Sequence, residues 1–167
     1  MKVTLLMALT LDGKIAQNET QLVDWTEKAD KKLFVEITRE SGCMIMGSRT
    51  FDTIGGILPG RKTVVMTRDR KRLSQDENLE FTDAAPVPLL SRLASQGFDH
   101  VILVGGALIN GLFARENLID EVVVTVSPLI FGCGVPLFAG ELDMDLELKA
   151  ALPLGENSVH LHYLVRK

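Results

Sequence analysis

Two glycine turns carry the clearest chemical signal in this sequence, because each has the layout of a phosphate-binding turn between a strand and a helix. The run Val101–Ala107 reads VILVGGA, ends at Gly105-Gly106 and leads into the helix-like LINGLFAR. A second run, Cys43–Met46, leads into Gly47-Ser48-Arg49-Thr50. Glycine allows a tight turn and the close approach of a ligand, and the following helix offers free N–H groups and its positive dipole end to an anion. Two such turns in one small chain indicate a ligand with several phosphates.

The basic residues that could meet those phosphates must be local, because the whole chain has a formal net charge of -4. This charge argues against a general nucleic-acid-binding surface. Arg68 follows directly on the strand-like segment Thr63–Thr67, and Arg49 lies in the second glycine turn. The later basic residues Arg70, Lys71 and Arg72 have the pattern of a solvated charge run.

The elements that would position these turns alternate between strand and helix along a single domain that spans residues 1–167. The predicted strands are Lys2–Leu9, Met44–Met46, Thr63–Thr67, Glu80-Phe81 and the run that starts at Val101; the predicted helices are Thr26–Glu40 with Thr26 as N-cap, a short one after Gly47, one around Pro88–Ala94 and LINGLFAR. This alternation predicts a three-layer α/β fold, with a mostly parallel central sheet and helices on both faces. Three later strands, Glu121–Val126, Met144–Ala151 and Ser158–Val165, come without a long crossover helix. We therefore expect them to be antiparallel and to close one edge of the sheet.

The apolar stretches do not have the pattern of targeting or membrane segments. The N-terminal run is interrupted by Asp12 and is followed by no small-residue cleavage site. The uncharged stretch Val122–Gly140 is broken by proline and glycine and starts with β-branched residues, so it predicts two buried strands joined by a glycine loop. We expect a cytoplasmic protein that contacts no membrane.

Cysteine and histidine usage predicts neither disulfides nor a metal. Cys43 and Cys133 lie far apart without a partner motif, which is typical of reduced thiols. His160 and His162 share one face of a strand but have no third ligand, so a structural role is the better interpretation.

Five pieces of the sequence, in this order, resemble the dihydrofolate reductase superfamily. They are MALTLDGKIA (Met7–Ala16), Trp25 with Asp30 and Phe34, MGSRTFDTIG (Met46–Gly55), LPGRKTVVMTR (Leu58–Arg68) and VGGALINGLF (Val104–Phe113). A later stretch, LIDEVVVTVSPLIFGCGVPLF (Leu118–Phe138), is more similar to the RibD C-terminal-domain family, the reductases of riboflavin biosynthesis. Single motifs of this kind are weak, but five in the right order are specific. The resemblance covers nearly the whole chain and implies a dihydrofolate reductase-like fold.

The resemblance implies hydride transfer from NADPH, a reaction in which the protein supplies binding, orientation and electrostatics. Arg68 is similar to the position that meets the extra ribose phosphate, which favours NADPH over NADH. In this family, Gly105 and Gly106 are also joined by a cis bond. The cofactor-binding residues that it implies are Ala8, Ile15 and Ala16 at the nicotinamide, Gly47, Ser48, Arg49 and Thr50 in the first turn, Thr67 and Arg68 after the strand, and Val104, Gly105, Gly106, Ala107, Leu108 and Ile109 in the second turn.

Asp30 is the residue for which we expect a catalytic role. It lies at the start of an amphipathic helix, and the folate enzymes carry at the matching place an acidic residue that holds the pteridine ring and promotes its protonation. A carboxylate there could accept two N–H hydrogen bonds from an amino-pyrimidine ring. Glu27 competes with it for the simpler role of offsetting the helix dipole. Trp25 and Phe34 would enclose the ring, and Thr125 is similar to a threonine that bonds the catalytic acid.

The substrate stays open between two classes, because the two halves of the chain resemble different enzymes. Arg61 in LPGR matches the arginine that holds the glutamate tail of folate, which favours a pterin. The segment Asp12-Gly13-Lys14-Ile15-Ala16 and the LIDE and GCGVPLF motifs are similar to the riboflavin-pathway reductases, which reduce the ribosyl group of a phosphoribosylamino-pyrimidine. The aspartate-proline segment of those enzymes is replaced here by FDTIGGILPGRK, so Lys14 or Arg61 is the candidate for a substrate phosphate.

We lead with the aminopyrimidine reductase and keep dihydrofolate or pterin reduction as the alternative. A nucleotide-binding module without turnover is the second alternative, and Asp30 alone separates it from an enzyme. The apolar Pro128–Phe138 region further predicts a homodimer, although it could equally fold back on its own core.

Overall fold

The computed structural model describes all residues, Met1–Lys167, as a mixed sheet with helices on both faces. The helices are α1 (Lys28–Ser41), α2 (Ser48–Ile54), α3 (Pro86–Ser95) and α4 (Ala107–Arg115). The strands are β1 (Lys2–Thr10), β2 (Lys14–Ala16), β3 (Cys43–Gly47), β4 (Lys62–Met66), β5 (Leu79–Thr82), β6 (His100–Leu103), β7 (Glu121–Ser127), β8 (Val135–Pro136), β9 (Leu146–Leu154) and β10 (Ser158–Val165). The predicted three-layer α/β fold is confirmed.

Eight strands form the main sheet in the order β5-β4-β3-β6-β1-β7-β10-β9. All neighbours from β5 to β7 are parallel, whereas β10 runs antiparallel to both β7 and β9. The prediction that Glu121–Val126 is antiparallel was therefore wrong for its pairing with β1. Helix α4 connects β6 to β7 across β1, and nine residues are enough for this crossover.

The two faces of the sheet follow from the period of two along its strands. On one face Leu5, Ile45 and Leu103 belong to a buried cluster with Phe113 of α4. On the other face Leu6, Met44 and Ile102 form a second cluster, against which Phe34 and Ile37 of α1 pack. The helices therefore cover both faces because the buried strands are apolar on both sides.

Helix α1 differs from its predicted bounds at the N-terminal end. Its N-cap is Glu27 in an extended conformation, and no side chain caps the helix. Thr26, predicted as the cap, is buried instead. The carboxylate of Glu27 accepts hydrogen bonds from the backbone N–H groups of Glu156 and Asn157, at 2.7 and 3.0 Å, in the turn between β9 and β10.

The stretch Val122–Gly140 forms one buried strand, not two. It contains β7, which is in the main sheet, and the short β8, which pairs with β2 in a separate two-stranded sheet. Neither β2 nor its pairing was predicted, because three residues are too few for a periodic signal. None of the four helices could cross a bilayer, since the longest has 14 residues. Cys43 and Cys133 are both free thiols.

Candidate active site

One cleft of about 1250 Å³ opens at the carboxyl ends of the parallel strands. Ala8 of β1, Gly47 of β3, Thr67 after β4 and Val104 after β6 line it. Ligands of open α/β sheets bind at this edge, because the loops and helix starts that follow the strands converge there. The volume is large enough for a dinucleotide and a second small molecule together.

The two glycine turns meet inside this cleft because β3 and β6 are neighbours in the sheet. The N–H of Gly47 donates a hydrogen bond of 2.7 Å to the carbonyl of Gly105. A Cβ atom on Gly47 would lie only 3.0 Å from Ile109 Cγ1, so glycine permits this approach. The peptide bond between Gly105 and Gly106 is cis, as the resemblance implied.

The first turn of α4 lies at the same cleft. Its N-cap, Gly106, has an extended backbone and no side chain satisfies the first N–H groups. Gly106, Ala107, Leu108 and Ile109 all line the cleft. Unsatisfied N–H groups at a helix start bind anions.

Nearly all of the residues predicted to bind the cofactor line this one cleft. They are Ala8, Ile15, Ala16, Gly47, Ser48, Arg49, Thr50, Thr67, Arg68, Val104, Gly106, Ala107, Leu108 and Ile109. Gly105 is buried and lies outside the lining. It has a φ of 94°, and a Cβ atom there would lie 2.9 Å from Met7 Cε, so glycine is required for the backbone rather than for contact with a ligand.

The two predicted phosphate-binding arginines differ in their partners. Arg68 is exposed at the cleft and forms no hydrogen bond or ion pair. Arg49 forms an ion pair of 2.5 Å with Glu19, and both side chains are 61% exposed. An exposed pair contributes little to stability, so Arg49 could exchange Glu19 for a phosphate.

Asp30 is a half-buried carboxylate that lines the cleft from the first turn of α1. It forms no hydrogen bond or ion pair within the chain, so both of its oxygens are available to a ligand. Glu27, which competed with Asp30 for the dipole-offsetting role, faces the turn between β9 and β10 instead. The hydrogen bonds that its carboxylate accepts there lower the pKa of Glu27, and the bond from the Glu156 N–H has the largest effect.

Among the residues predicted to bind the substrate, only Phe34 lines the cleft. Trp25 packs edge-to-face on Phe131, with ring centroids 5.5 Å apart, and is not in the lining. Thr125 is 1% exposed and makes no side-chain hydrogen bond with Asp30. Asp30 and Phe34 therefore both line the cleft, whereas Trp25 and Thr125 are not part of its lining.

Asp12 and Lys14 also lie outside the cleft lining. The carboxylate of Asp12 accepts hydrogen bonds from Thr10 Oγ1 at 2.5 Å and from the N–H of Gly132 at 2.8 Å, and the Thr10 bond is the main cause of its lowered pKa. Lys14 pairs in β2 with Pro136, and its N–H donates to Thr10 Oγ1 at 3.0 Å. Both residues connect the loop after β1 to the segment that contains β8.

Arg61 is only 5% exposed and is directed at α1, away from the cleft. Its guanidinium donates hydrogen bonds to the hydroxyl of Thr38 and to the carbonyl of Val35, the latter at 3.3 Å. Burial, with the nearby Arg39, lowers the pKa of Arg61. Both hydrogen bonds come from the same guanidinium nitrogen, and Nε is buried without a partner. The predicted role of Arg61 in substrate binding stays a prediction, for a residue that lies outside the cleft lining.

Several parts of the cleft lining escaped the sequence analysis, among them the following three. The segment between β2 and α1 contributes Leu22 and Val23, which are 56% and 51% exposed, and this apolar pair in a polar stretch was the available signal. Thr82–Pro86, after β5, lines the cleft because β5 lies beside β4. Lys31 lines it next to Asp30, on the exposed side of α1.

Comparison with known proteins identifies the family of this chain. A family model described as dihydrofolate reductase matches residues 2–127. The chain belongs to the dihydrofolate reductase family. The superfamily predicted from the five motifs is thereby confirmed.

Relatives of this dihydrofolate reductase family member cover its full length. It is 28% identical to the uncharacterized protein YwjB of Bacillus subtilis over 98% of this chain and 97% of that protein. Its fold matches Acinetobacter baumannii RibD with a TM-score of 0.85 and 20% identity, over 99% of this chain but 58% of RibD. It matches dihydrofolate reductase of Enterococcus faecalis, solved with NADP(H) and RAB-propyl, with a TM-score of 0.79 and 20% identity over 99% and 97% of the two chains.

Proposed function

We propose that this protein is an NADPH-dependent reductase that transfers a hydride to a phosphoribosylamino-pyrimidine of the kind reduced in riboflavin biosynthesis. One observation carries the proposal: both glycine turns and an unpaired carboxylate, Asp30, line the same cleft. A dinucleotide needs the turns, and the N–H groups of an amino-pyrimidine ring need a carboxylate as acceptor. Family membership supports the reductase class.

The cleft fits a phosphorylated nicotinamide cofactor. The uncapped start of α4 offers N–H groups to a diphosphate, and Arg68 offers a guanidinium without a protein partner. The side chains of Ala8, Ile15 and Ala16 would give the nicotinamide ring an apolar floor. NADPH supplies the hydride when it is bound.

The residues of the chain would bind the substrate, orient it and transfer a proton. The Asp30 carboxylate would accept N–H hydrogen bonds from an amino-pyrimidine ring and act as the acid–base group. Phe34, one turn further along α1, would pack on the ring. The position of Lys31 beside Asp30 makes it our candidate for a substrate phosphate, since neither Lys14 nor Arg61 lines the cleft.

Dihydrofolate or another pterin is the second candidate substrate. The family match and the position of Asp30 favour it. Arg61 is the observation against it, because the arginine expected to hold the glutamate tail is buried against α1. Arg61 was, however, also a candidate for the phosphate of the aminopyrimidine, so its burial does not separate the two substrates. Our first choice rests on the LIDE and GCGVPLF motifs of the sequence.

The test is to follow NADPH oxidation by absorbance with dihydrofolate and with the ribosylamino-pyrimidinone phosphate, side by side. We expect turnover with the second substrate, and Asp30→Asn should lower kcat by a factor of about 10² to 10⁴ while NADPH binding is retained. Turnover with dihydrofolate alone would assign the pterin reaction. If the wild type binds NADPH and oxidises it with neither compound nor with other pterins, the protein is a nucleotide-binding module and the proposal is wrong.

The homodimer also stays a prediction for this chain. The prediction rests on the apolar Pro128–Phe138 region, which is only partly exposed. Leu137 and Phe138 pack against the core, while Ile130 is 71% exposed. Sedimentation velocity over a range of concentrations would test it, and a single monomer species throughout would reject it.

A further inference from the structure

Residues 131–139, which we call the strap, follow β7 and contain β8 and the GCGVPLF motif. The proposed reaction gives this motif no role. The strap is not part of the main sheet, because β8 pairs only with β2. It contacts the loop after β1 on one side and α4 on the other. These two elements carry the opposite ends of the proposed cofactor site, which are the floor of the nicotinamide ring and the helix start for the diphosphate.

The first half of the strap holds the residues that would form the floor of the nicotinamide ring. Val135 of β8 pairs with Ala16 of β2, and both residues line the cleft. Asp12 fixes the start of the strap, since its carboxylate accepts hydrogen bonds from the N–H groups of Phe131 and Gly132, at 3.2 and 2.8 Å. The main sheet forms no strand pairing with β2. The strand pairing that holds Ala16 at the cleft is thus made by the strap alone.

The second half of the strap is bound to α4. Asn110 of this helix donates a hydrogen bond of 2.8 Å from Nδ2 to the Leu137 carbonyl. The N–H of Ala139 donates one of 3.0 Å to the carbonyl of Ala107, in the first turn of the helix. Asn110 is completely buried, and its Oδ1 atom has no partner. Because an unpaired buried oxygen costs free energy, the Nδ2 contact with the strap is the feature that accounts for an asparagine here.

Gly111 shows how closely the strap approaches α4. Its backbone is helical, so no positive φ requires a glycine, and alanine would favour the helix more. A Cβ atom on Gly111 would, however, overlap with the carbonyl oxygen of Ala139, which belongs to the backbone of the strap. The contact with the strap therefore accounts for this glycine.

We propose that the strap is a spacer that fixes the distance between the two ends of the cofactor site, with Asn110 and Gly111 as positioning residues that act on Ala16 through it. In the proposed function, on which this inference rests, the diphosphate of NADPH binds at the start of α4 and the nicotinamide ring lies on Ala16. A loose connection between these ends would leave the ring free to move after the phosphates are bound. A fixed connection orients the ring, which raises both the affinity for the whole cofactor and the rate of hydride transfer.

Gly111→Ala tests the spacer, because the added methyl group must displace the Ala139 backbone while alanine favours the helix itself. Titration calorimetry compares the affinity of NADPH with that of 2′-phospho-ADP-ribose, which is NADPH without its nicotinamide ring. The ratio of the two dissociation constants measures what the ring contributes. We expect Gly111→Ala to reduce this contribution by a factor of about 2 to 10, the equivalent of one hydrogen bond, and to leave the affinity for 2′-phospho-ADP-ribose unchanged. Equal weakening of both ligands would indicate damage to the start of α4 and would overturn the proposal.

Asn110→Leu is the second variant, because it removes the donor to the Leu137 carbonyl without a large change in volume. It should reduce the contribution of the nicotinamide ring in the same way. Cys133→Ser is the matched control, since it changes an exposed side chain of the strap that makes no hydrogen bond. A contribution of the ring that is the same in all three variants and in the wild type would reject the spacer.

Hydrogen exchange tests the connection without any ligand. We expect the N–H of Gly132 and the amides of β2 to exchange faster in Gly111→Ala and Asn110→Leu than in the wild type, because the strap is loosened at α4. Cys133→Ser should exchange like the wild type. Unchanged exchange in both α4 variants would also overturn the proposal. If the wild type does not bind NADPH, the proposed function fails, whereas the exchange rates still decide whether the strap connects α4 with β2.

Discussion

At the scale of single residues, Arg68 is our candidate for the side chain that selects the cofactor. Four basic residues follow β4 in close succession, but Arg70 pairs with Asp83 at 3.1 Å and Arg72 with Asp52 at 2.6 Å. Lys71 is outside the cleft lining. Of these four, Arg68 alone combines a place in the lining with a guanidinium that no carboxylate neutralises. It is therefore our candidate for the group that recognises an additional phosphate.

Arg68→Ala should weaken NADPH binding and leave NADH binding almost unchanged. A hydrogen bond to a charged group contributes about 1.5 to 3 kcal/mol, so the NADPH dissociation constant should rise by a factor of about 10 to 150. Titration calorimetry with both cofactors measures the ratio. Lys71→Ala is the matched control, because it removes one positive charge from the same loop outside the cleft. Equal weakening of both cofactors would remove Arg68 from the phosphate-selecting role.

At the scale of elements, the N-terminal end of α1 is held in place by Glu27, its N-cap residue. The side chain of Glu27 does not cap the helix but bonds to another part of the chain. The three hydrogen bonds that Glu27 accepts all come from the turn between β9 and β10 and from Ser158, and they connect the helix to the far edge of the sheet. Asp30 and Phe34 reach the cleft from this helix. The position of the candidate acid therefore depends on a contact with residues more than a hundred positions later in the chain.

We expect Glu27→Ala to lower kcat more than it alters cofactor binding. A misplacement of a catalytic group by about 1 Å costs up to about 10²-fold in rate, whereas neither glycine turn contacts Glu27. The thermal midpoint should also fall, since two backbone N–H groups lose their acceptor. The control is Glu156→Gln, whose side chain makes no hydrogen bond or ion pair. Normal kcat in Glu27→Ala would show that α1 is held by its apolar face alone.

The same elements show how far the sequence could predict this molecule. The strands of the parallel part are apolar on both sides, and the runs that contain β3 and β6 lead to Gly47 and to Gly105-Gly106. The strands β3, β4 and β6 and the cleft at their ends were therefore predictable from local pattern. The direction of β7 was not, because it depends on how α4 crosses β1. The burial of Arg61 escaped prediction for a similar reason: its acceptors are Val35 and Thr38, on a helix distant in sequence.

At the scale of the whole molecule, the charges of the cleft almost balance. The basic residues of the lining are Lys31, Arg49, Arg68 and Arg115, and the acidic ones are Glu19, Asp24, Asp30, Asp83 and Glu116. With a net charge of -4 on the chain, no broad positive field attracts a phosphorylated ligand. In the proposed function, affinity would come from directed contacts, for which the N–H groups of α4 and the guanidinium of Arg68 are our candidates.

On the acid side of neutrality, two histidines and two glutamates outside the cleft make stability depend on pH in one direction. Burial is the largest cause that lowers the pKa values of His100 and His160 below the usual value of 6.5. The hydrogen bond from Arg92 is the largest cause that lowers the pKa of Glu80 from its usual value of 4.5. Burial alone would raise the pKa of Glu121, but its contacts with Lys2 help to lower it below the usual value. In each case the unfolded chain binds protons more readily than the folded protein, so acid favours unfolding.

We therefore expect the free energy of unfolding to fall in two stages as the pH is lowered. The first begins near pH 6.5, as unfolded histidines become protonated before His100 and His160 do, and the second begins near pH 4.5 with the glutamates. Urea unfolding at a series of pH values would measure both. The double variant His100→Gln and His160→Gln should flatten the first stage and leave the second in place. Constant stability of the wild type between pH 7 and pH 5 would contradict this account, because it would mean that neither imidazole resists protonation in the folded state.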